Sequence, residues 1–229
     1  MKTKVLIAGQ EGMVGSSIYR LLKKKNFFII ECKRKDLDFT NQLLVEKWFK
    51  KYRPDIVINA AGKVGGILDN KTYQADYIFI NSMIGLNITN SSMKYKVKKL
   101  INLDSACIYP KKTSQPIKEK ALLSSYLEET NEGYALAKIL SLKYSQQLKK
   151  KYRKEFISLM PANLYGRGDN FDLKASHVLP ALVKKFTLAK MKNLPQVEVW
   201  GSGIVKREFL NVEYLSAEIY FVIKKKLDY

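Results

Sequence analysis

Three side chains are candidates for proton transfer: a serine, Ser105, placed just past an apolar run, and the pair Tyr134 and Lys138, spaced i, i+4. That spacing sets a phenol and an ammonium on one face of a helix. A ketone that receives a hydride needs a proton on its oxygen, and a tyrosine hydroxyl supplies one when its pKa is drawn towards the working pH. A nearby ammonium stabilises the phenolate left behind, and a serine hydroxyl hydrogen-bonds the carbonyl oxygen. A tyrosine and a lysine four apart are common on any helix, so the trio has meaning only if a hydride-carrying cofactor lies beside it.

The stretch KVLIAGQEGMVGS, residues 4–16, is the candidate holder of that cofactor. Val5, Leu6, Ile7 and Ala8 form a short apolar run suited to a buried parallel strand, and residues 13–25 have the pattern of an amphipathic helix. Between them Gly9, Gly12 and Gly15 are spaced G-x-x-G-x-x-G. The first allows a tight turn, the second a close approach of backbone to a pyrophosphate, and the third close packing of helix on sheet. The free N–H groups at the helix start favour an anion. Gln10, Glu11, Met13 and Val14 share this turn. A second strand over 27–31 leads into Lys33, Arg34, Lys35 and Asp36, where the adenosine ribose would be met. Three cations there suit a 2′-phosphate, so NADP(H) is favoured over NAD(H); a plain basic surface loop is the alternative.

Stepping outward, the pattern predicts a helix over 42–51 with Leu43, Leu44, Trp48 and Phe49 on one face. Strands follow over 55–62 and 99–103, with a long helix over 73–95 between them. A polar connection over 111–131 precedes the helix of Tyr134 and Lys138, over 132–151, and a strand over 156–160. A helix over 176–190, short strands over 197–200 and 208–212, and a final helix over 214–226 complete the series. Alternating strands and helices predict an α/β fold, a doubly wound parallel sheet of the Rossmann type with right-handed crossovers. Ligand then binds at the carboxyl edge of the sheet, which is where Ser105 and the glycine turn fall.

The chain has 229 residues, 46% of them hydrophobic, and a formal charge of +20. Length and composition suit a globular protein with a real core. Much of the charge sits in lysine triplets at 23–25, 149–151 and 224–226, at the ends of helical patterns, where cations complement the helix dipole. The lysines are spread along the sequence and no nucleic-acid module is present, so a nucleic-acid partner is not expected. Attraction of anionic ligands in general is the middle reading. The two cysteines, Cys32 and Cys107, lack metal-ligand spacing, so no metal is expected. No leader pattern precedes the first strand and no apolar run approaches the ~20 residues of a membrane span. A cytoplasmic protein with free thiols, and no membrane partner, is the expectation.

Taken together, these segments resemble the extended short-chain dehydrogenase/reductase family. The likeness is carried by the glycine turn, the segments AAGKVGGI at 60–67, SACIYP at 105–110, YALAK at 134–138, NLYG at 163–166, DNF at 169–171, SHVLPAL at 176–182, VWGSG at 199–203 and REFL at 207–210. The glycine turn and the Tyr–Lys pair are general to the superfamily, whereas KVGGI, CIYP and SHV mark a branch acting on GDP-keto-deoxy-sugars. The resemblance implies an NADP-binding domain over 1–165 and a smaller, incomplete substrate domain over 166–229 whose last elements return to the first. It implies an NADPH-dependent epimerase/reductase that inverts C3 and C5 of GDP-4-keto-6-deoxy-D-mannose and then reduces its C4 ketone.

By the same resemblance Cys107 is the epimerisation base and His177 the acid, beside the reductase trio. Leu103, Asp104, Ser105 and Ala106, the turn Pro161, Ala162, Asn163 and Leu164, and His177 line the cofactor, and Lys185, Trp200 and Arg207 hold the GDP-sugar. A homodimer through the two long helices is implied. Another nucleotide-sugar epimerase or dehydratase, or a catalytically impaired NADP-binding homologue, are the alternatives. The chain departs from the family pattern at Glu11, Asp104 and Ala106, and it is shorter at its carboxyl end.

Overall fold

A computed structural model describes residues 2–173, 176–199 and 201–225. Five strands, β1 (Thr3–Ala8), β2 (Phe27–Ile30), β3 (Ile56–Asn59), β4 (Lys99–Leu103) and β5 (Glu155–Leu159), form one sheet in the order β2-β1-β3-β4-β5. Every neighbouring pair is parallel, as the alternation of elements requires. The chain reverses its direction of travel across the sheet at β1, so the turn after β1 opens at the switch point where such sheets bind ligand.

The strands' two-residue period sorts the core into two layers. Leu6, Ala8, Val57 and Leu100 face one side, where they meet Val45 and Phe49 of α2 (Gln42–Tyr52) and Ile84 and Ile88 of α4 (Gln74–Lys94). Val5, Ile7, Ile58 and Ile101 face the other, against Ile18 and Leu22 of α1 (Met13–Lys23) and Leu215, Ile219 and Ile223 of α7 (Val212–Lys224). The last helix is therefore part of the first sheet's core. Buried Lys99 on β4 fastens it there: its Nζ donates to the carbonyls of Val222 (2.9 Å), Ile223 (3.3 Å) and Lys225 (2.7 Å) and lies 3.2 Å from Glu155 Oε2. A third cluster, with Ile108, Leu127, Ala135 and Ile139, seats α5 (Glu132–Tyr152) on the 3-10 turn over 106–108 and the segment that follows it.

Several boundaries differ from the sequence pattern. On α2 the buried arc is Val45 and Phe49, with Trp48 packed beside them, while Leu43 and Leu44 are exposed. At 100° per residue Leu43 lies on the opposite side from Val45, so four apolar residues in one short segment do not make one face. A short helix, α3 (Ile67–Thr72), precedes α4. The turn after β5 contains a strand, β6 (Asn163–Tyr165), parallel to β7 (Phe209–Asn211), with Asn163 opposite Phe209. Residues 197–199 form no strand, because no described strand runs beside them. Between β6 and β7, α6 (Val178–Met191) starts two residues later than its pattern suggests, with His177 as its N-cap.

The lysines spread along the sequence are gathered in space. Each crossover helix runs antiparallel to the strands, so the helix C-termini collect at the amino edge of the sheet. Lys23 of α1, Lys50 and Lys51 of α2, Lys94 of α4, Lys149 to Lys151 of α5 and Lys224 of α7 occupy the last turns. These helix-end lysines therefore sit at the edge opposite the glycine turn, where they complement the helix dipoles.

Candidate active site

At the end of β1 the backbone itself makes the cradle. Gly9 has φ +79°, and a Cβ there would lie 2.6 Å from the carbonyl oxygen of Ala60. A Cβ on Gly15 would lie 2.1 Å from the Gly9 oxygen, so helix and turn touch through backbone alone. Gly12 donates its N–H to Gly9 O at 3.0 Å and caps α1 in an extended conformation with no side-chain cap and no acid in the first turn. The open N–H groups of Met13, Val14 and Gly15 therefore face outward at a positive dipole end. This cradle fits the diphosphate of a dinucleotide.

Gln10 ties the turn to the end of β2: its Nε2 donates to Glu31 Oε2 at 2.8 Å and its Oε1 accepts the Cys32 N–H at 3.2 Å. Tyr19 donates its hydroxyl to the other oxygen of Glu31 at 2.7 Å, and this bond leads the causes that hold the Glu31 carboxyl below its usual range. An acid at this place suits the free 2′-hydroxyl of NAD. Here both its oxygens are engaged by the scaffold, while the side chains of Lys33, Arg34 and Lys35 are exposed beyond it. Sequence reasoning missed Glu31 by placing it inside the strand; an acid directly after β2 was the available signal. Glu11, the departure in the glycine turn, accepts the Arg34 N–H at 2.8 Å, and Asp36 accepts that of Lys33 at 2.8 Å. Glu11 thus braces the ribose-side loop.

At the end of β4 Ser105, Tyr134 and Lys138 are brought onto one edge. Lys138, partly buried on α5, donates its Nζ to Leu103 O at 2.7 Å and lies 5.7 Å from the centre of the Tyr134 ring. Ser105 opens a single 3-10 turn, Ala106–Ile108, and its Oγ accepts the Cys107 N–H at 3.4 Å. Asp104, between Leu103 and Ser105, is 5% exposed. Burial holds the Lys138 ammonium below its usual range, against the pull of Asp104 and Cys107. Burial likewise pushes up the Cys107 thiol, opposed by Ser105 and Lys138.

The Tyr134 phenol is also pushed up, by burial first and then by Cys107 and Asp104. This differs from the lowered pKa that the chemistry calls for. Desolvation of the enclosed phenol is the first cause, and neighbouring Cys107, Asp104 and Tyr77 add to it.

Two clamps that the sequence did not reveal shape the rim. Tyr77, fully buried on α4, meets the Tyr134 ring edge-on at 6.2 Å and donates its hydroxyl to Asp69 of α3. Asn81 bonds both sides of Lys63, accepting its N–H at 2.8 Å and donating to its carbonyl at 3.1 Å. Asn70 donates to Gly65 O at 2.7 Å. The loop of residues 63–66 is thus stitched to α3 and α4. A buried asparagine inside an apolar helix was the signal for it.

The remaining candidate residues lie farther out. Asn163 starts β6 and donates its Nδ2 to Glu208 O at 3.0 Å; Leu164 packs on the α1 and α7 core, and Pro161 and Ala162 are partly buried in the turn leading to them. His177 is exposed at the start of α6 and makes no side-chain hydrogen bond with Cys107 or Tyr134. Lys185 on α6 donates to Glu198 O at 3.0 Å, and Arg207 is exposed and bonds Lys206 O at 2.9 Å. Trp200 lies outside the described residues. Among the described residues no group of acids, histidines or cysteines is arranged to hold a metal ion, and no helix is long and apolar enough to cross a membrane.

Residues 5–228 match the NAD dependent epimerase/dehydratase family. A GDP-L-fucose synthase of Sinorhizobium fredii (strain NBRC 101917 / NGR234) is 48% identical over 221 residues, covering 96% of this chain and 70% of the relative. The GDP-L-fucose synthase of Escherichia coli (strain K12) is 44% identical, over 97% of this chain and 70% of its own length. A solved structure of a GDP-L-fucose synthetase from Naegleria fowleri bound to NADP superposes with a TM-score of 0.84 at 29% identity, covering 96% of this chain and 72% of that one.

Proposed function

Because this chain belongs to the NAD dependent epimerase/dehydratase family, we propose that it is an NADPH-dependent epimerase/reductase converting GDP-4-keto-6-deoxy-D-mannose to GDP-L-fucose, the sugar named in its relatives. The observation that carries this is the placement of Lys138 on the Leu103 carbonyl at 2.7 Å, with the Tyr134 ring beside it and the Ser105–Cys107 turn at the same strand end. That edge is the one on which the glycine turn opens.

NADPH, when bound, supplies the hydride for C4. The turn from Gly9 to Gly15 holds its diphosphate, and Lys33, Arg34 and Lys35 receive the 2′-phosphate. Ser105 donates a hydrogen bond to the C4 oxygen. Tyr134 gives that oxygen its phenolic proton as the carbonyl becomes an alcohol, and Lys138 stabilises the phenolate that remains. In the preceding epimerisations the C4 carbonyl makes the protons on C3 and C5 acidic. Cys107 as thiolate takes each proton, the electron pair moves onto the C4 oxygen as an enolate, and His177 returns a proton to the opposite face. Lys185, Arg207 and Trp200 hold the GDP-sugar.

Purified protein incubated with NADPH and GDP-4-keto-6-deoxy-D-mannose should consume the cofactor and release a sugar inverted at C3 and C5. Interconversion of a UDP-sugar with no net cofactor oxidation would instead assign the chain to a cofactor-recycling 4-epimerase. The chain acts in the cytoplasm and as a homodimer, for which Ile78 and Phe79 on α4 and Leu136 and Leu140 on α5 provide an exposed apolar strip. Light scattering that gives the monomer mass would reject the dimer.

A further inference from the structure

The Tyr134 hydroxyl bonds no described residue, so its aim depends on what holds its ring and the backbone beneath it. Both supports come from the first turn of α4. Gln74 reaches across to the start of α5: its Oε1 accepts the Gly133 N–H at 2.8 Å and its Nε2 donates to the Glu129 carbonyl at 2.7 Å. A helix start leaves such N–H groups without partners inside the helix, and α5 has no side-chain cap of its own. A Cβ on Gly133 would lie 2.6 Å from Gln74 O, so the two helices touch through backbone immediately before Tyr134. Nearly one turn further along α4 stands Tyr77, fully buried, with its ring at 83° to that of Tyr134. Its hydroxyl donates to Asp69, and a Cβ on Gly65 would overlap both that hydroxyl and the carboxylate.

Resting on the reduction assigned above, we propose that Gln74 and Tyr77 are positioning residues that set the aim of Tyr134, Gln74 by fixing the backbone before it and Tyr77 by backing its ring. A displacement of about 1 Å at a reacting group can cost about 100-fold in rate. Truncation of the Tyr77 ring opens room for such a displacement directly beside Tyr134. The Tyr77 hydroxyl has a separate task, holding Asp69 against the loop of residues 63–66, so ring and hydroxyl act on different parts of the site. The effect falls on one half of the reaction. Tyr134 protonates the C4 oxygen in the reduction, whereas Cys107 and His177 move the protons at C3 and C5.

Two assays separate these halves: NADPH oxidation with GDP-4-keto-6-deoxy-D-mannose and, with NADPH left out, uptake of solvent deuterium at C3 and C5 of the same sugar. In Tyr77→Leu, with circular dichroism as the check of folding, reduction should fall about 10–100-fold and exchange by less than about threefold. Tyr77→Phe keeps the ring and should hold reduction within about threefold of the unsubstituted chain. Equal losses in the two assays, intact reduction in Tyr77→Leu, or a Tyr77→Phe as impaired as Tyr77→Leu overturns the proposal. A further measurement needs neither cofactor nor sugar, so it decides even if the assigned reaction fails or Tyr77→Leu does not fold. In protein carrying carbon-13-labelled tyrosine, signals are identified by their loss in Tyr134→Phe and Tyr144→Phe. In Gln74→Ala the Tyr134 signal should move or broaden, while that of Tyr144, held farther along α5 by Asn90, stays in place. A Tyr134 signal that does not change, or that moves together with that of Tyr144, overturns the proposal.

Discussion

Replacing the three glycines one at a time separates folding from ligand binding. In Gly15→Ala the new methyl would stand 2.1 Å from Gly9 O, and an ordinary contact begins at 3.4 Å, so turn and helix must part by about 1.3 Å. Overpacking of this kind costs about 1–3 kcal/mol, and the better helix propensity of alanine returns up to about 1. A net loss of about 1–2 kcal/mol lowers Tm by roughly 2–8 °C in a domain of this size. The same shift removes one or two of the backbone hydrogen bonds open to the diphosphate, each worth about 1.5–3 kcal/mol, so the Kd for NADPH should rise at least ~10-fold.

Gly12→Ala is the control, because its Cβ would meet nothing closer than Gly9 O at 3.4 Å. The poorer N-cap costs up to about 1 kcal/mol and the stiffer unfolded chain offsets about 0.4–1, so Tm should stay within ~2 °C. Its methyl still occupies the side on which backbone meets pyrophosphate, so NADPH affinity should fall without loss of stability. Thermal melting and a fluorescence titration with NADPH read both quantities. Gly15→Ala binding NADPH as tightly as the unsubstituted chain would refute the cradle, and unchanged affinity in Gly12→Ala would refute the close approach.

Tyr134→Phe keeps the edge-on contact with Tyr77 and removes a hydroxyl that bonds no described residue, so Tm should hold while NADPH oxidation with the keto sugar drops about 10²–10⁴-fold; persistence of oxidation would remove Tyr134 from the reaction. Lys99→Met strips the C-terminal carbonyls of α7 of their donor and leaves Glu155 unpaired, a loss of about 3 kcal/mol and roughly 6–12 °C in Tm, and a change under ~2 °C would show that the clamp is idle. Burial, followed by Asp36 and Glu11, pushes the Cys32 thiol up to about 12, above its ordinary 9.0. The folded state then holds a proton that the unfolded state has lost, so stability falls as pH rises through that window, by up to ~1.4 kcal/mol per pH unit. Cys32→Ser should lose less stability between about pH 8 and about pH 10, and equal losses would contradict the assignment.

What lies within a few residues along the chain was legible in the sequence. The β1–turn–α1 unit, the strand over 99–103 and the i, i+4 pair of Tyr134 and Lys138 rest on local periodicity and on glycine spacing, which act over one turn or one strand. What depends on partners brought from afar was not. Asn163 becomes a strand because Phe209 lies beside it, and Leu43 is exposed because α2 turns Val45 to the sheet. Glu31 is spent on Tyr19 and Gln10, Lys138 on Leu103, and Asp104 is left with an unpartnered oxygen. None of these can be read from residue order, because desolvation and hydrogen-bond pairing depend on which groups the fold encloses together. Residue order alone set which chemical groups this protein owns and which edge of a parallel sheet would display them. Their charge states, and the gathering of the lysines at the other edge, were decided only when the crossovers packed, since a proton's affinity depends on its surroundings in space.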